Sequence, residues 1–182
     1  MSEPRGPWVI HESTVVYADP WIQVRLDRVT RPDGRPGTHT LTTIKPGVCV
    51  IALDEDGNVW LTEEFHYAVG RTTLEGVSGG CEEGEPPLET ARRELEEELG
   101  FVAERWTDLG WCDPFTAMIV SPTAMYLAEG LSRVPARPEG TERIVARSLP
   151  FAEAVRLVDE SVITHGPTCV AILKAWMRRG LV

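Results

Sequence analysis

The chain has 182 residues, 42% of them hydrophobic and 25% charged, which suits one domain with a sizeable core and an ordinary globular composition. Its 28 acidic against 18 basic residues leave a net charge of −10, and without a basic stripe a large nucleic-acid partner is disfavoured. No apolar run reaches the ~18 residues of a membrane span, and the N-terminus lacks the basic-then-apolar layout of a signal peptide, so a cytoplasmic protein with no membrane partner is expected.

In chain order, residues 1–20 read as an arm carrying Trp8, the apolar group Val15, Val16 and Tyr17, and Pro20. WIQVRLDRVT at 21–30 alternates as a strand, with Ile22, Val24, Leu26 and Arg28 on one face. RPDGRPG turns the chain, and THTLTTI at 38–44 returns to complete a hairpin. VCVIAL at 48–53 is a continuous apolar run, read as a buried strand, and VWLTEEF at 59–65 is the next strand after a DEDGN turn.

TTLEGVS then leads into a glycine-rich stretch, followed by segments at 102–106 and 109–112 and by the strand-like TAMYLA at 123–128. EGLSRVPARPEGT at 129–141 reads as a mobile loop. RIVARSL is a strand, a helix runs over about 151–160, and a last helix starts near Pro167 and ends at Gly180. Mixed strands and helices with hairpin-like spacing indicate α+β or a mixed-sheet α/β arrangement. The four cysteines, Cys49, Cys81, Cys112 and Cys169, are scattered, and no CxxC pair suggests zinc.

The chemistry concentrates in residues 79–101, GGCEEGEPPLETARRELEEELGF. Pro86 and Pro87 suit a helix start and Gly100 a helix stop. At about 100° per residue, Leu88, Ala91, Leu95 and Leu99 share a stripe that can pack on a core, whereas Glu94, Glu97 and Glu98 share an adjacent arc. Glu89 and Glu96 point elsewhere. Carboxylates crowded on one rigid face repel one another unless a cation lies between them, and hard divalent ions with oxygen ligands, Mg²⁺ or Mn²⁺, fit that need.

The order of these residues resembles the Nudix box, G-x5-E-x7-R-E-U-x-E-E-x-G-U. Gly79, Glu85, Arg93, Glu94, Leu95, Glu97, Glu98, Gly100 and Phe101 fill every specified position, with Phe101 where an aliphatic residue is usual. The resemblance extends to most of the chain and to the branch acting on ADP-ribose and sugar nucleotides. It rests on the N-terminal hairpin, the EEF-x-Y-AVGR segment, Glu75 before the box and two late helices. It implies a mixed-sheet α/β/α sandwich, an α+β Nudix fold with an N-terminal β-hairpin extension. Residues 1–44 would form the arm and hairpin, a dimerisation element, and residues 45–182 the hydrolase domain.

The same resemblance implies roles. Glu94, Glu97 and Glu98 would bind Mg²⁺ with a main-chain carbonyl near Ser78, and Arg93 would pair with Glu85 and orient the acidic face. Arg71 would hold phosphate, Glu75 would support the site or touch substrate, and Trp21 would contact the base in a homodimer. His66 stands where many relatives have Arg, which weakens one cationic contact to substrate. The general base would be Glu142 or Glu139 in the late loop, or else Glu97. CDPFTAMIVS at 112–121 departs from the branch, with Thr116 where a proline is usual.

The expected reaction is Mg²⁺-dependent cleavage of a nucleoside diphosphate joined to a sugar-like group. Its products are a nucleoside monophosphate and a sugar phosphate, and ADP-ribose leads among substrates. A GDP- or UDP-sugar, or a non-catalytic nucleotide-sensing domain, stands as the alternative.

Overall fold

A computed structural model of the chain describes residues 2–136 and 143–180. They fall into two units, one of residues 1–45 with 115–121, the other of residues 46–114 with 122–182.

The first unit is a sheet in the order β1 (Glu3–Arg5), β2 (Trp8–Ala18), β3 (Ile22–Thr30), β4 (Pro36–Ile44) and β10 (Ile119–Val120). The expected hairpin β3–β4 is present, with Ile22 opposite Ile44. The expected arm is not an arm: β1 and β2 extend the same sheet. Its VVY segment lies in β2 beside irregularities between Ile10 and Glu12 and between Val15 and Tyr17, which obscure the alternation in the sequence.

The face of β3 is also corrected. Leu26 is 38% exposed, whereas Asp27 and Val29 are buried. The buried face hides an ion pair between residues two apart, Arg25 Nη2 donating to Asp27 Oδ2 at 3.0 Å. Apolar alternation therefore marks the wrong side of the strand. A cavity of about 270 Å³ lies within this unit, lined by Trp8, Asp27, His39, Leu41 and Ile119 among others.

The second unit is built on a mixed sheet in the order β12 (Val145–Pro150), β6 (Asn58–His66), β5 (Gly47–Leu53), β11 (Thr123–Arg133) and β9 (Phe101–Cys112). β7 (Arg71–Glu75) adds to β6 and β8 (Val77–Gly80) adds to β5. β11 runs parallel to β5 and antiparallel to β9.

Every residue from Val48 to Leu53 is buried because both faces of β5 are covered. Val48, Val50 and Ala52 pack with Ala91, Leu95 and Leu99 of α1 (Pro87–Leu99). Cys49, Ile51 and Leu53 pack with Phe151 and Ala154 of α2 (Phe151–Asp159) and with Ala171, Ile172 and Ala175 of α3 (Gly166–Arg178). The result is an α/β/α sandwich, so the fold is α+β as expected.

Two segments differ from expectation. TTLEGVS is not a plain lead-in but the pair β7 and β8, broken at Gly76, whose missing Cβ would lie 2.8 Å from the Val50 carbonyl. The loop expected at 129–141 begins later, because Glu129–Arg133 continue β11 against Arg105–Phe101 of β9. Gly130, at φ 68°, lets the strand continue where the composition suggests a loop. No described helix is long and apolar enough to cross a membrane.

Candidate active site

Helix α1 carries the acidic face. Pro86 precedes it in an extended conformation, and Gly100 closes it in the left-handed region. There the Gly100 N–H bonds to the Glu96 carbonyl at 3.0 Å. Ala91 and Leu95 hold one side of the helix against Val48, Val50 and Val77. That anchoring turns Glu94, Glu97 and Glu98 to half-buried positions, while Glu89 and Glu96 are exposed.

Gly79 on β8 meets this face. A Cβ there would lie 2.0 Å from Glu94 Oε1 and 2.1 Å from its Cδ, so the glycine makes the cradle that admits the carboxylate. Ser78 pairs with Cys49 across β8 and β5, and its hydroxyl donates to the Gly76 carbonyl at 2.9 Å.

Arg93 gathers the acids. Its Nη1 lies 2.8 Å from Glu94 Oε1 and 2.9 Å from Glu97 Oε2, and its Nε lies 3.3 Å from Glu85 Oε1. Burial works against the charged guanidinium, yet the acids at Glu85, Glu94 and Glu97 outweigh it and push the Arg93 pKa up. Arg93 in turn, with the Glu82 N–H, holds the Glu85 carboxyl below its usual range. The expected pairing of Arg93 with Glu85 is thus part of a wider cluster.

Among the described residues, no three His, Cys, Asp or Glu side chains form a ready-made metal group. Glu94 and Glu97 are drawn to the monovalent Arg93 instead. The donor set still fits a hard divalent cation: carboxylate oxygens on one helix face, half-buried, and a glycine cradle behind one of them.

A second cluster surrounds Glu75 at the end of β7. Its Oε1 accepts from Thr73 Oγ1 at 2.6 Å and lies 3.3 Å from His66 Nε2. Its Oε2 lies 3.1 Å from His165 Nδ1. Thr168 Oγ1 is 2.8 Å from the same Nδ1 and accepts from the Gly76 N–H at 2.9 Å. Burial pushes the Cys49 thiol up to about 12, and the negative charges of Glu75 and Glu98 add to the rise.

His165, Thr168 and Thr73 were missed by sequence reasoning. The sole hint was the place of His165 just before Gly166 and Pro167, where a helix begins. Nothing in the chain ties it to Glu75, 90 residues earlier.

The remaining expected residues are placed as follows. Arg71 is exposed, and its Nη2 donates to Thr164 Oγ1 at 2.7 Å. Trp21 lies in the first unit, 64% exposed, with Lys45 Nζ 5.0 Å from its ring centroid. Glu139 and Glu142 lie outside the described residues.

Comparison with known proteins agrees with this layout. The NUDIX domain model matches residues 43–164, and the nucleoside diphosphate sugar hydrolase N-terminal domain matches residues 8–41. An ADP-ribose pyrophosphatase of Mycobacterium tuberculosis is 31% identical over 82% of this chain and 74% of its own length. An ADP-ribose pyrophosphatase of Bacillus subtilis is 26% identical over 91% of each chain. A crystal structure of an ADP compounds hydrolase superposes with a TM-score of 0.81 at 20% identity, over 95% of this chain and 96% of that one, and so shares the fold. The filled box, the acidic face of α1 and the sandwich that presents it all agree with these matches: the chain belongs to the Nudix family and is a Nudix hydrolase of the ADP-ribose pyrophosphatase-like kind.

Proposed function

We propose that the protein hydrolyses the pyrophosphate of a nucleoside diphosphate joined to a sugar-like group, releasing a nucleoside monophosphate and a sugar phosphate, with ADP-ribose as the leading substrate. The observation that carries this reading is the half-buried row Glu94, Glu97 and Glu98 on one face of α1, with the Gly79 cradle admitting Glu94. The activity named for its relatives supports ADP-ribose.

Glu94, Glu97 and Glu98, with a carbonyl near Ser78, would hold Mg²⁺ or Mn²⁺, which when bound neutralises phosphate charge and acidifies water. Arg93 keeps the carboxylates together until they are needed and limits their repulsion. Arg71 offers a bidentate fork to a phosphate. Glu75 orders the edge of the site beside His66, which stands where many relatives have Arg and weakens one cationic contact to substrate. Trp21 is the proposed contact for the base. Candidate acceptors for the proton of the attacking water are Glu97 and the late-loop Glu142 and Glu139.

A homodimer is part of the proposal. Val15, Val16, Tyr17 and Trp21 are each more than half exposed in the first unit, apolar side chains that a second copy of the chain would cover. Another nucleotide sugar is the second reading, favoured by Thr116 where the branch has a proline.

The test is product analysis with Mg²⁺ across ADP-ribose, UDP-glucose, GDP-mannose, NADH and a dinucleoside polyphosphate. Fastest turnover of ADP-ribose is expected. Preference for a GDP- or UDP-sugar would move the substrate, and binding without turnover of any would return the sensing alternative.

A further inference from the structure

We propose that the cavity of the N-terminal sheet is a second binding site, apart from the acidic face of α1, for a nucleoside monophosphate. The base donates to Asp27 at the floor, and the phosphate meets Arg5 at the rim. Only the source of that ligand, as a product of the reaction, rests on the hydrolase reading above.

Strand register assembles the cavity. Val29 lies opposite Ile10 of β2, and Asp27 lies opposite His39 of β4, so these side chains share one face of the sheet. Arg5 lies opposite Trp8 where β1 meets β2. Ile10, Asp27 and Val29 are buried, Trp8 and His39 are half-buried, and Arg5 is exposed. The lining therefore grades from a closed floor to a cationic rim. Between them the Trp8 and His39 rings, with centroids 5.4 Å apart, make an aromatic wall.

The floor holds a carboxylate with bonding capacity to spare. Asp27 Oδ2 accepts from Arg25 Nη2 at 3.0 Å. Oδ1 lies 2.9 Å from Arg25 Nε as an ion pair, yet neither of these buried atoms makes a hydrogen bond among the described residues. The Asp27 side chain is only 7% exposed. Burial raises its pKa, but Ser13, Arg25 and Arg5 hold it below the usual carboxylate range, so the group is ionised at neutral pH. A buried carboxylate oxygen in this state calls for a donor, because it can only accept.

The lining selects the ligand. It must donate a hydrogen to Asp27, offer a flat face to Trp8 and His39, and carry negative charge for Arg5. A nucleobase brings N–H groups on a flat aromatic ring, and a phosphate is an anion that the arginine fork fits. A cavity of about 150 Å³ takes one benzene ring, so the volume of about 270 Å³ here takes the fused rings of a purine. The ribose and phosphate then extend toward the rim. Trp21 does not line this cavity, which is therefore distinct from the base contact proposed above.

Calorimetry of adenosine monophosphate against the whole chain in EDTA reads binding without divalent metal or turnover. The wild type is expected to bind it. Adenosine, which lacks the phosphate, and ribose 5-phosphate, which lacks the ring, should each bind about 10-fold more weakly or worse. No binding of adenosine monophosphate at millimolar concentration leaves the cavity to water and overturns the proposal.

Two variants locate the ligand. Ala117 lines the cavity from an exposed position, so Ala117→Trp fills the mouth and leaves the fold intact. Trp8→Ala removes the wall. Each should weaken binding of adenosine monophosphate by about 10-fold, with an unchanged circular dichroism spectrum. Affinity unchanged in Ala117→Trp places the nucleotide elsewhere and overturns the proposal, whether or not Trp8→Ala folds. In the wild type the Trp8 indole NMR signal should shift as the nucleotide is added, and an unmoved signal overturns it equally. Failure of the hydrolase reading would appear separately, as a wild type that hydrolyses nothing in the panel while these binding results stand.

Discussion

Gly79 on β8 and Glu94 on α1 approach so closely that a methyl group on the glycine would sit 2.0 Å from the carboxylate oxygen. The glycine of the box is there because the side chain opposite needs the space. Its backbone is not among the positive-φ residues, so conformational freedom is not the reason.

Gly79→Ala is therefore expected to displace the Glu94 carboxylate while leaving the fold intact, since the atoms it strikes end a flexible side chain. Mg²⁺ affinity measured by calorimetry should fall by about 10-fold or more, and turnover with it. An alanine variant that binds Mg²⁺ as the wild type does would remove Glu94 from the metal site.

Glu98→Gln tests the same face from its other end. It should abolish Mg²⁺-dependent turnover with an unchanged circular dichroism spectrum. Near wild-type activity would sink the metal assignment for this residue.

Arg93 holds Glu85, Glu94 and Glu97. Arg93→Ala leaves these carboxylates facing one another, and a partner removed from a buried cluster costs roughly 3–5 kcal/mol. With the guanidinium side chain 34% exposed, solvent screening reduces this to about 1–2 kcal/mol. Urea unfolding should show that loss, and Mg²⁺ should restore more stability to the variant than to the wild type. Equal urea midpoints without metal would mean that the cluster carries no net stability.

Much of the second unit was legible in the sequence because one interaction dominates each segment. The apolar run 48–53 has both faces covered, and α1 shows its stripe, its acidic arc and its terminal glycine together. The first unit was harder. β2 contains irregularities, and β3 buries Asp27 with Arg25 while leaving Leu26 exposed, so hydrophobic alternation points the wrong way. At the site, the residues within the box could be read from their spacing, because they share one helix. His165 and Thr168 reach Glu75 through tertiary packing alone, and no local pattern encodes a partner 90 residues distant.

The buried ion pair of β3 leads to a prediction about acid stability. Burial raises the Asp27 pKa, but Ser13, Arg25 and Arg5 outweigh it and hold the carboxyl below its usual value. The folded state thus binds this proton less readily than the unfolded chain does. The resulting stability is fully present above the unfolded value near 4 and is lost as pH falls through the lower folded value. Asp27→Asn removes that contribution and leaves Arg25 without its counter-charge, so the variant should be less stable at pH 7. Between pH 5 and pH 2 the wild type should lose more stability than the variant, so that the two urea midpoints converge. Midpoints that stay parallel over this range would show that the Arg25–Asp27 pair does not couple acid to the folding of the N-terminal sheet.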